Sequence, residues 1–390
     1  MDFQLTDEQK MIADTARKLG EKFGLDYWRD HDKRKAFPQE FWKATCEAGI
    51  GGVALPDEYG GSGLGMLEMA LAIENLARGG GGSTIGQLFM LNPIFGGVSI
   101  SRYGTAEMKQ KYLPPLIAGD LVCCMALTEP DAGTNTLEIT SFARRDGEGW
   151  VLNGKKHWIT GALSSGITLI VCRTKKIEEV KRKTEGISLF LIDTGRKGVS
   201  LGRIDKLGTN TLDSSTVFFD DVRLEPADLV GTLDGGWPQL LDVLNTERIV
   251  TTAGLCGTVD LALKLAVDFA NERRVFSKTP ISAYQGIQFP LAQAFAEIGC
   301  ARLMNYQAAT LCDRGQPFGA ESNMAKLIAS QACDKATIQA MQTLGGMGYA
   351  SEYHLERLWR DQRLFRFAPV SEEMILNFIA QHNLGMPRSY

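Results

Sequence analysis

The spacing of apolar residues changes period twice along this chain of 390 residues, and no all-helical or all-strand fold accommodates both periods. Up to about residue 120 the spacing is helical. Thr6-Asp7-Glu8-Gln9 reads as a capping box, and Met11, Ile12, Ala16, Leu19 and Phe23 follow on one face. A second helix is predicted from about Pro38, burying Phe41 and Trp42 and ending before the loop at 49–65. More helices are predicted near 66–78, 84–102 and 105–118, the last opening on Thr105 and broken at Pro114-Pro115. From Leu121 to about Gly231 the pattern turns into short β-branched and aromatic runs such as ITLIVCR, GISLFLID and STVFFDDV, separated by Gly, Asp and Lys turns. A charged interruption, Lys176 to Lys183, reads as a solvated loop. After Gly236 helical spacing returns near 237–271, 285–313, 321–344 and 370–384. The order predicts an α+β chain: an N-terminal helical domain at 1–120, a middle β domain at 121–231 and a C-terminal helical domain at 232–390.

Composition narrows the function. A net charge of −4 with no basic block argues against nucleic acid and anionic membrane as partners. The eight cysteines show no CxxC or Cys/His metal spacing and mostly sit in apolar segments, so they read as reduced core residues. Four scattered histidines give no zinc or iron site, and no metal is expected. No signal peptide is read at MDFQLTDEQ, and no apolar run is read as long enough to span a bilayer, so a cytoplasmic protein is expected.

The most informative stretch is Met125 to Thr160, MALTEPDAGTNTLEITSFARRDGEGWVLNGKKHWIT. The apolar run Leu121–Leu127 predicts a buried strand, and the loop after it carries Thr128, Asp131, Gly133, Thr134 and Asn135. A strand resumes at Trp150, is predicted to turn at Asn153-Gly154, and returns through His157, Trp158, Ile159 and Thr160. Two such strand ends suit a flat polar ring, and they equally suit plain scaffold.

TEPDAGTN followed by LNGKKHWIT resembles the flavin-binding signature of the acyl-CoA dehydrogenase family, LTEPxAGSD and then LNGxKxWIT, with Thr134 for Ser and Asn135 for Asp. GGVALPDEYGGSGLG and KLGTNTLDSSTVFFDDVRLEPADLVG resemble further family segments, so the likeness spans nearly the whole chain. It implies the acyl-CoA dehydrogenase fold with a C-terminal four-helix bundle, FAD as cofactor, and α,β-dehydrogenation of an acyl-CoA to the trans-2-enoyl-CoA. It also implies an electron-transfer flavoprotein as electron acceptor, and a homo-oligomer of two or, more usually, four chains. An acyl-CoA oxidase, an enoyl-CoA reductase, or a flavin-binding homologue without catalysis remain as alternatives.

The reaction needs a base for the α proton, a polarised thioester carbonyl and a hydride acceptor against the β carbon. Many family members place a base Glu shortly after an RDxR segment. Here Arg360-Asp361-Gln362-Arg363 is present, but Pro369 falls in that slot, and proline offers neither a carboxylate nor an N–H. A second branch, with isovaleryl-type and long-chain-type enzymes, carries its Glu on an earlier helix before an Arg. Leu244-Asn245-Thr246-Glu247-Arg248-Ile249 matches that arrangement, so the resemblance implies Glu247 as base, with Asn245 and Arg248 at the substrate. Spacing alone favours reading Glu247 as a solvated carboxylate paired with Arg248 or Arg273; the vacancy at Pro369 and the resemblance reverse that preference, and Glu372 and Glu373 compete for the role of base.

The other carry-overs follow the motifs. Met125, Leu127, Thr128, Gly133, Thr134, Trp158 and Thr160 match positions that hold the flavin ring and its phosphates, and Thr134 also falls near the CoA phosphates. Arg273 and Phe276 in ERRVF match a pair whose Arg reaches the flavin pyrophosphate of a neighbouring subunit, a fitting task for a guanidinium fork. Gln285, Gln342, Gly345 and Gly346 match positions around the adenosine end, and Ser371 matches a Thr near the flavin. LGG would serve equally as a helix C-cap.

Overall fold

The computed structural model describes residues 4–276 and 278–388. Helix α1 (Asp7–Arg34) starts on the predicted box: the Gln9 N–H donates to the Thr6 hydroxyl at 3.2 Å, and the Gln9 side chain accepts from the Thr6 N–H at 3.0 Å. Helix α2 (Gln39–Glu47) buries Phe41 and Trp42 completely, and the Phe41 ring meets Trp28 of α1 edge-on at 4.9 Å.

Helices α3 (Met66–Leu76), α4 (Ser83–Phe89) and α5 (Ser99–Tyr103) are joined by two wide π-type turns, Ala77–Gly81 and Met90–Val98. The single helix expected over 84–102 is therefore interrupted around Pro93, which has no N–H to give the helical ladder. The expected break at Pro114-Pro115 does not occur. Helix α6 (Ala106–Ile117) runs through both prolines, and the Pro115 carbonyl accepts from the N–H groups of Asp120 and Leu121 just beyond the helix end.

The middle of the chain forms one sheet from β1 (Cys123–Ala126), β2 (Phe142–Asp146), β3 (Gly149–Thr160), β4 (Ile167–Arg173), β5 (Ile187–Asp193), β6 (Val199–Arg203), β7 (Ser214–Leu224) and β8 (Leu229–Val230). The strand order is β6-β7-β3-β2-β4-β5-β8, with β1 parallel to β4. The turn expected at Asn153-Gly154 is absent: β3 runs straight through, and the hairpin reverses around Gly147 instead. Gly154 marks a register shift against β7, and a Cβ there would lie 2.3 Å from the Ser141 hydroxyl oxygen. The glycine serves a close strand approach, while the Asn153 amide pairs with the Asp221 carboxylate at 2.9 Å.

Helices α7 (Gly236–Glu272), α8 (Gln285–Asp313), α9 (Gly319–Leu344), α10 (Leu355–Gln362) and α11 (Glu372–His382) complete the fold. Contrary to the sequence reading, α7 is long and apolar enough by length and composition to cross a membrane, but 83% of its most apolar stretch is buried inside the protein. One core joins the domains: Met125 of β1 and Leu127 just after it pack onto the cluster that holds Leu240, Val243 and Ile249 of α7. All eight cysteines are free thiols, and only Cys300 is exposed.

Candidate active site

The loop after β1 is pinned from below. The ammonium of Lys156, wholly buried on β3, donates to the Leu127 carbonyl and the Glu129 carboxylate, each at 2.8 Å. Glu129 also accepts from the N–H and hydroxyl of Thr140 at 2.7 and 2.8 Å and from the Ser141 N–H at 2.9 Å. Both charges lie inside the two matched motifs, yet the sequence reading assigned them no role. A charged residue repeated in each half of a paired motif was the available signal.

Beyond Lys156, β3 loses register with β7 until Ile159, and Trp158 takes a left-handed φ of 61°. This bulge turns the indole out of the sheet and leaves it 52% exposed. The His157 N–H donates to the Thr128 carbonyl at 2.8 Å, which holds the loop and the strand end side by side. The hydroxyls of Thr128, Thr134 and Thr160 bond to no other described residue, and a Cβ at Gly133 would have just the Thr128 methyl, at 3.9 Å, within van der Waals contact among the described residues. An exposed indole flanked by unengaged hydroxyls fits a flat heteroaromatic ring with polar edges, so these residues suit a flavin.

Glu247 lies on α7 and is only 3% exposed, which excludes the solvated reading. Burial pushes its pKa up to about 8, against the pull of the Arg248 and Lys326 charges. Its carboxylate accepts no hydrogen bond from any described residue. Arg248 pairs with the Asn245 side-chain oxygen, and Asn245 lines a cleft of about 410 Å³ with Arg102, Asp242 and residues 315–319. In that cleft Asp242 accepts from Arg102 at 2.6 Å and from the Tyr103 hydroxyl at 2.8 Å, a pair of contacts the motifs do not contain.

The competing carboxylates are placed differently. Glu372 is buried and engaged, accepting from the Ser330 hydroxyl at 2.9 Å and lying 2.5 Å from the Arg366 guanidinium. Glu373 is exposed, as is Pro369. Ser371 caps α11, its hydroxyl accepting from the Met374 N–H at 3.3 Å.

The remaining motif residues gather elsewhere. Arg273 ends α7, 26 residues beyond Glu247, which at about 1.5 Å per residue puts it about 39 Å along the helix. Arg273 is therefore no partner for Glu247. Phe276, Gln285, Gln342, Gly345 and Gly346 are all exposed. Gly345 takes a left-handed φ of 59° at the C-cap of α9, as a helix stop requires.

The family's N-terminal, middle and C-terminal domain profiles match residues 6–120, 124–222 and 234–384. The chain belongs to the acyl-CoA dehydrogenase family. It is an oxidoreductase of that family, whose members bind FAD. The acyl-CoA dehydrogenase FadE12 of Mycobacterium tuberculosis is 39% identical over 387 residues, 99% of this chain and 98% of that protein. A glutaryl-coenzyme A dehydrogenase solved with glutaryl-CoA superposes with a TM-score of 0.94 at 30% identity, covering 100% of this chain and 98% of that one. A glutaryl-CoA dehydrogenase from Mycobacterium smegmatis, solved with FADH2, gives 0.91 at 27% identity, covering 99% and 96%.

Proposed function

We propose that this acyl-CoA dehydrogenase oxidises an acyl-CoA thioester to its trans-2-enoyl-CoA with Glu247 as the base, and passes the electrons to an electron-transfer flavoprotein. The observation that carries the assignment is the state of Glu247: a carboxylate buried on α7, without a hydrogen-bond donor, beside an Asn245–Arg248 pair that opens on a cleft. An α proton next to a thioester is weakly acidic, and burial raises the proton affinity of the carboxylate that must take it. Asn245 and Arg248 orient the thioester end of the substrate. Trp158, Thr128 and Thr160 would hold the flavin ring, and the loop bearing Gly133 and Thr134 would hold its phosphates. When bound, FAD supplies the hydride acceptor.

The same reading calls for a homo-oligomer, at least a dimer and most simply a tetramer. Arg273 and its neighbours sit about 39 Å along α7 from Glu247, which favours a role at the FAD of a neighbouring chain. The exposed side chains of Phe276, Tyr284, Phe289, Phe295 and Tyr349 at that end and along α8 support a covered surface there.

The test is anaerobic: the visible flavin spectrum of the purified holoprotein is followed while acyl-CoAs of different length and branching are added. Bleaching by one of them, lost in Glu247→Gln, is the expected result. A yellow protein that none of them bleaches, but that enoyl-CoAs reoxidise after chemical reduction, would point to a reductase. Rapid reoxidation by oxygen would point to an oxidase.

A further inference from the structure

Helix α4 lies antiparallel against α7. A Cβ at Gly82, just ahead of α4, would lie 3.5 Å from the Thr258 hydroxyl oxygen. One at Gly86 would lie 2.9 Å from the Val250 carbonyl oxygen and 3.5 Å from the Gly254 Cα. Beyond α4, Leu91 meets the flavin cradle, where a Cβ at Gly161, next to Thr160, would lie 2.8 Å from a Leu91 methyl carbon. Glu247, Thr251 and Gly254 follow one another on one face of α7, at helical spacings of four and three. Because the helices are antiparallel, the pairs Ser83–Gln87 on α4 and Glu247–Thr251 on α7 fall on the same side of the Gly86–Gly254 crossing.

The polar groups on that side have nothing to bond. Ser83, Gln87 and Thr251 are at most 2% exposed, and Ser83 Oγ, Gln87 Oε1 and Thr251 Oγ1 have no hydrogen-bond partner among the described residues. Their sequence neighbours Thr84 and Thr252 are orphaned as well. Buried polar atoms are rarely left so. A local partner was at hand, since a helical threonine can bond the carbonyl four residues earlier. On α7 itself Thr246 does this to Asp242 at 2.8 Å and Thr258 to Gly254 at 2.7 Å. Thr251 forgoes the equivalent bond, one turn from the base.

We propose that this strip between α4 and α7 receives the tail of the acyl group and selects a short tail that carries an uncharged hydroxyl. A hydroxyl can donate to the Gln87 oxygen and accept from the Ser83 and Thr251 hydroxyls, whereas the three orphans offer no counter-charge to an ionised tail. The crossing from Val250 to Gly254 lies about 4.5 to 10 Å along α7 from Glu247, which limits the tail to a few carbons past the α carbon. The inference rests on the acyl-CoA reading with Glu247 as base, and adds the class of acyl group.

The experiment compares ω-hydroxyhexanoyl-CoA with heptanoyl-CoA, which differ by a hydroxyl against a methyl at the tail end. Calorimetric titration into FAD-loaded Glu247→Gln reads binding without turnover, and anaerobic flavin bleaching in wild type reads reaction. The hydroxylated thioester should bind at least about tenfold more tightly, because heptanoyl-CoA leaves the buried oxygens unpaired. Gln87→Leu and Thr251→Val, each close to the original in shape, should each move the binding ratio about tenfold toward heptanoyl-CoA. Ser83→Ala replaces either variant should it fail to assemble. Equal binding of the two thioesters, or a ratio that no variant moves, overturns the polar strip, and bleaching of wild type by any acyl-CoA then leaves the reaction standing. Tighter binding of the hydroxylated thioester without bleaching by any acyl-CoA keeps the strip and overturns the dehydrogenase reading. Flavin reduction that survives in Glu247→Gln overturns the base.

Discussion

The Lys156 ammonium and the Glu129 carboxylate meet at 2.8 Å with side chains 0% and 5% exposed, so the loop that offers Thr128 and Thr134 hangs on a buried ion pair. Burial alone would raise the Glu129 pKa, but Lys156 and the donors of Thr140 and Ser141 hold it down to about 2. A pair of this kind is weak evidence for net stability, yet removing one partner strands the other in the interior.

Lys156→Met should therefore destabilise the protein by about 3–5 kcal/mol and loosen the flavin loop, read as a lower Tm and a lower FAD content after gel filtration. Because folding depresses the Glu129 pKa, its contribution is complete above its ordinary carboxylate range. That contribution is lost as pH falls toward about 2, so wild type should lose stability over that window more steeply than the variant. Equal acid unfolding profiles would contradict the anchoring role.

Glu247 carries the opposite sign. Its folded pKa of about 8 exceeds the ordinary carboxylate value of 4.5, so the folded chain binds the proton more tightly and stability declines as pH rises through that interval. Glu247→Gln should abolish flavin reduction by roughly a thousandfold. It should also raise Tm at pH 8 while leaving it near wild type at pH 5. A variant no more stable than wild type at pH 8 would mean that the carboxylate is not held in the apolar site described.

Arg273→Ala should leave the fold and the Glu247 pocket intact and reduce FAD retention. Arg273 has no ion pair among the described residues, so its removal breaks no ion pair there. Dialysis followed by the flavin-to-protein absorbance ratio reads the effect, and undiminished FAD content would refute a cross-chain contact. Sedimentation of the apo variant shows whether assembly weakens with it.

The helix–strand–helix order and the flavin loop were legible because their signals are local: a period change, a capping box, two contiguous motifs. Local signals also misled. Asn153-Gly154 has the composition of a hairpin turn, but the glycine answers to Ser141, 13 residues earlier and just ahead of β2, which the dipeptide itself does not reveal. Pro114 and Pro115 read as a break, yet α6 continues to Ile117. The burial of Glu247 was invisible because α7 is apolar nearly all round, so its helical period does not say which face meets α9. Lys326 escaped notice for the same reason, since a lysine in an alanine-rich helix reads as surface until its partners, the Phe365 and Val370 carbonyls 39 and 44 residues later, fold back over it.

Helix α7 spans 37 residues, about 55 Å at the usual rise, with Glu247 near its beginning and Arg273 at its end. On the reading above, these two residues never work on the same flavin. Each catalytic centre is then the joint property of two chains, and each chain is divided between two centres. A lesion at either end of the rod silences a different centre. Two inactive chains, one lacking Glu247 and one lacking Arg273, would together restore a complete centre in a mixed assembly, in the manner of complementing alleles.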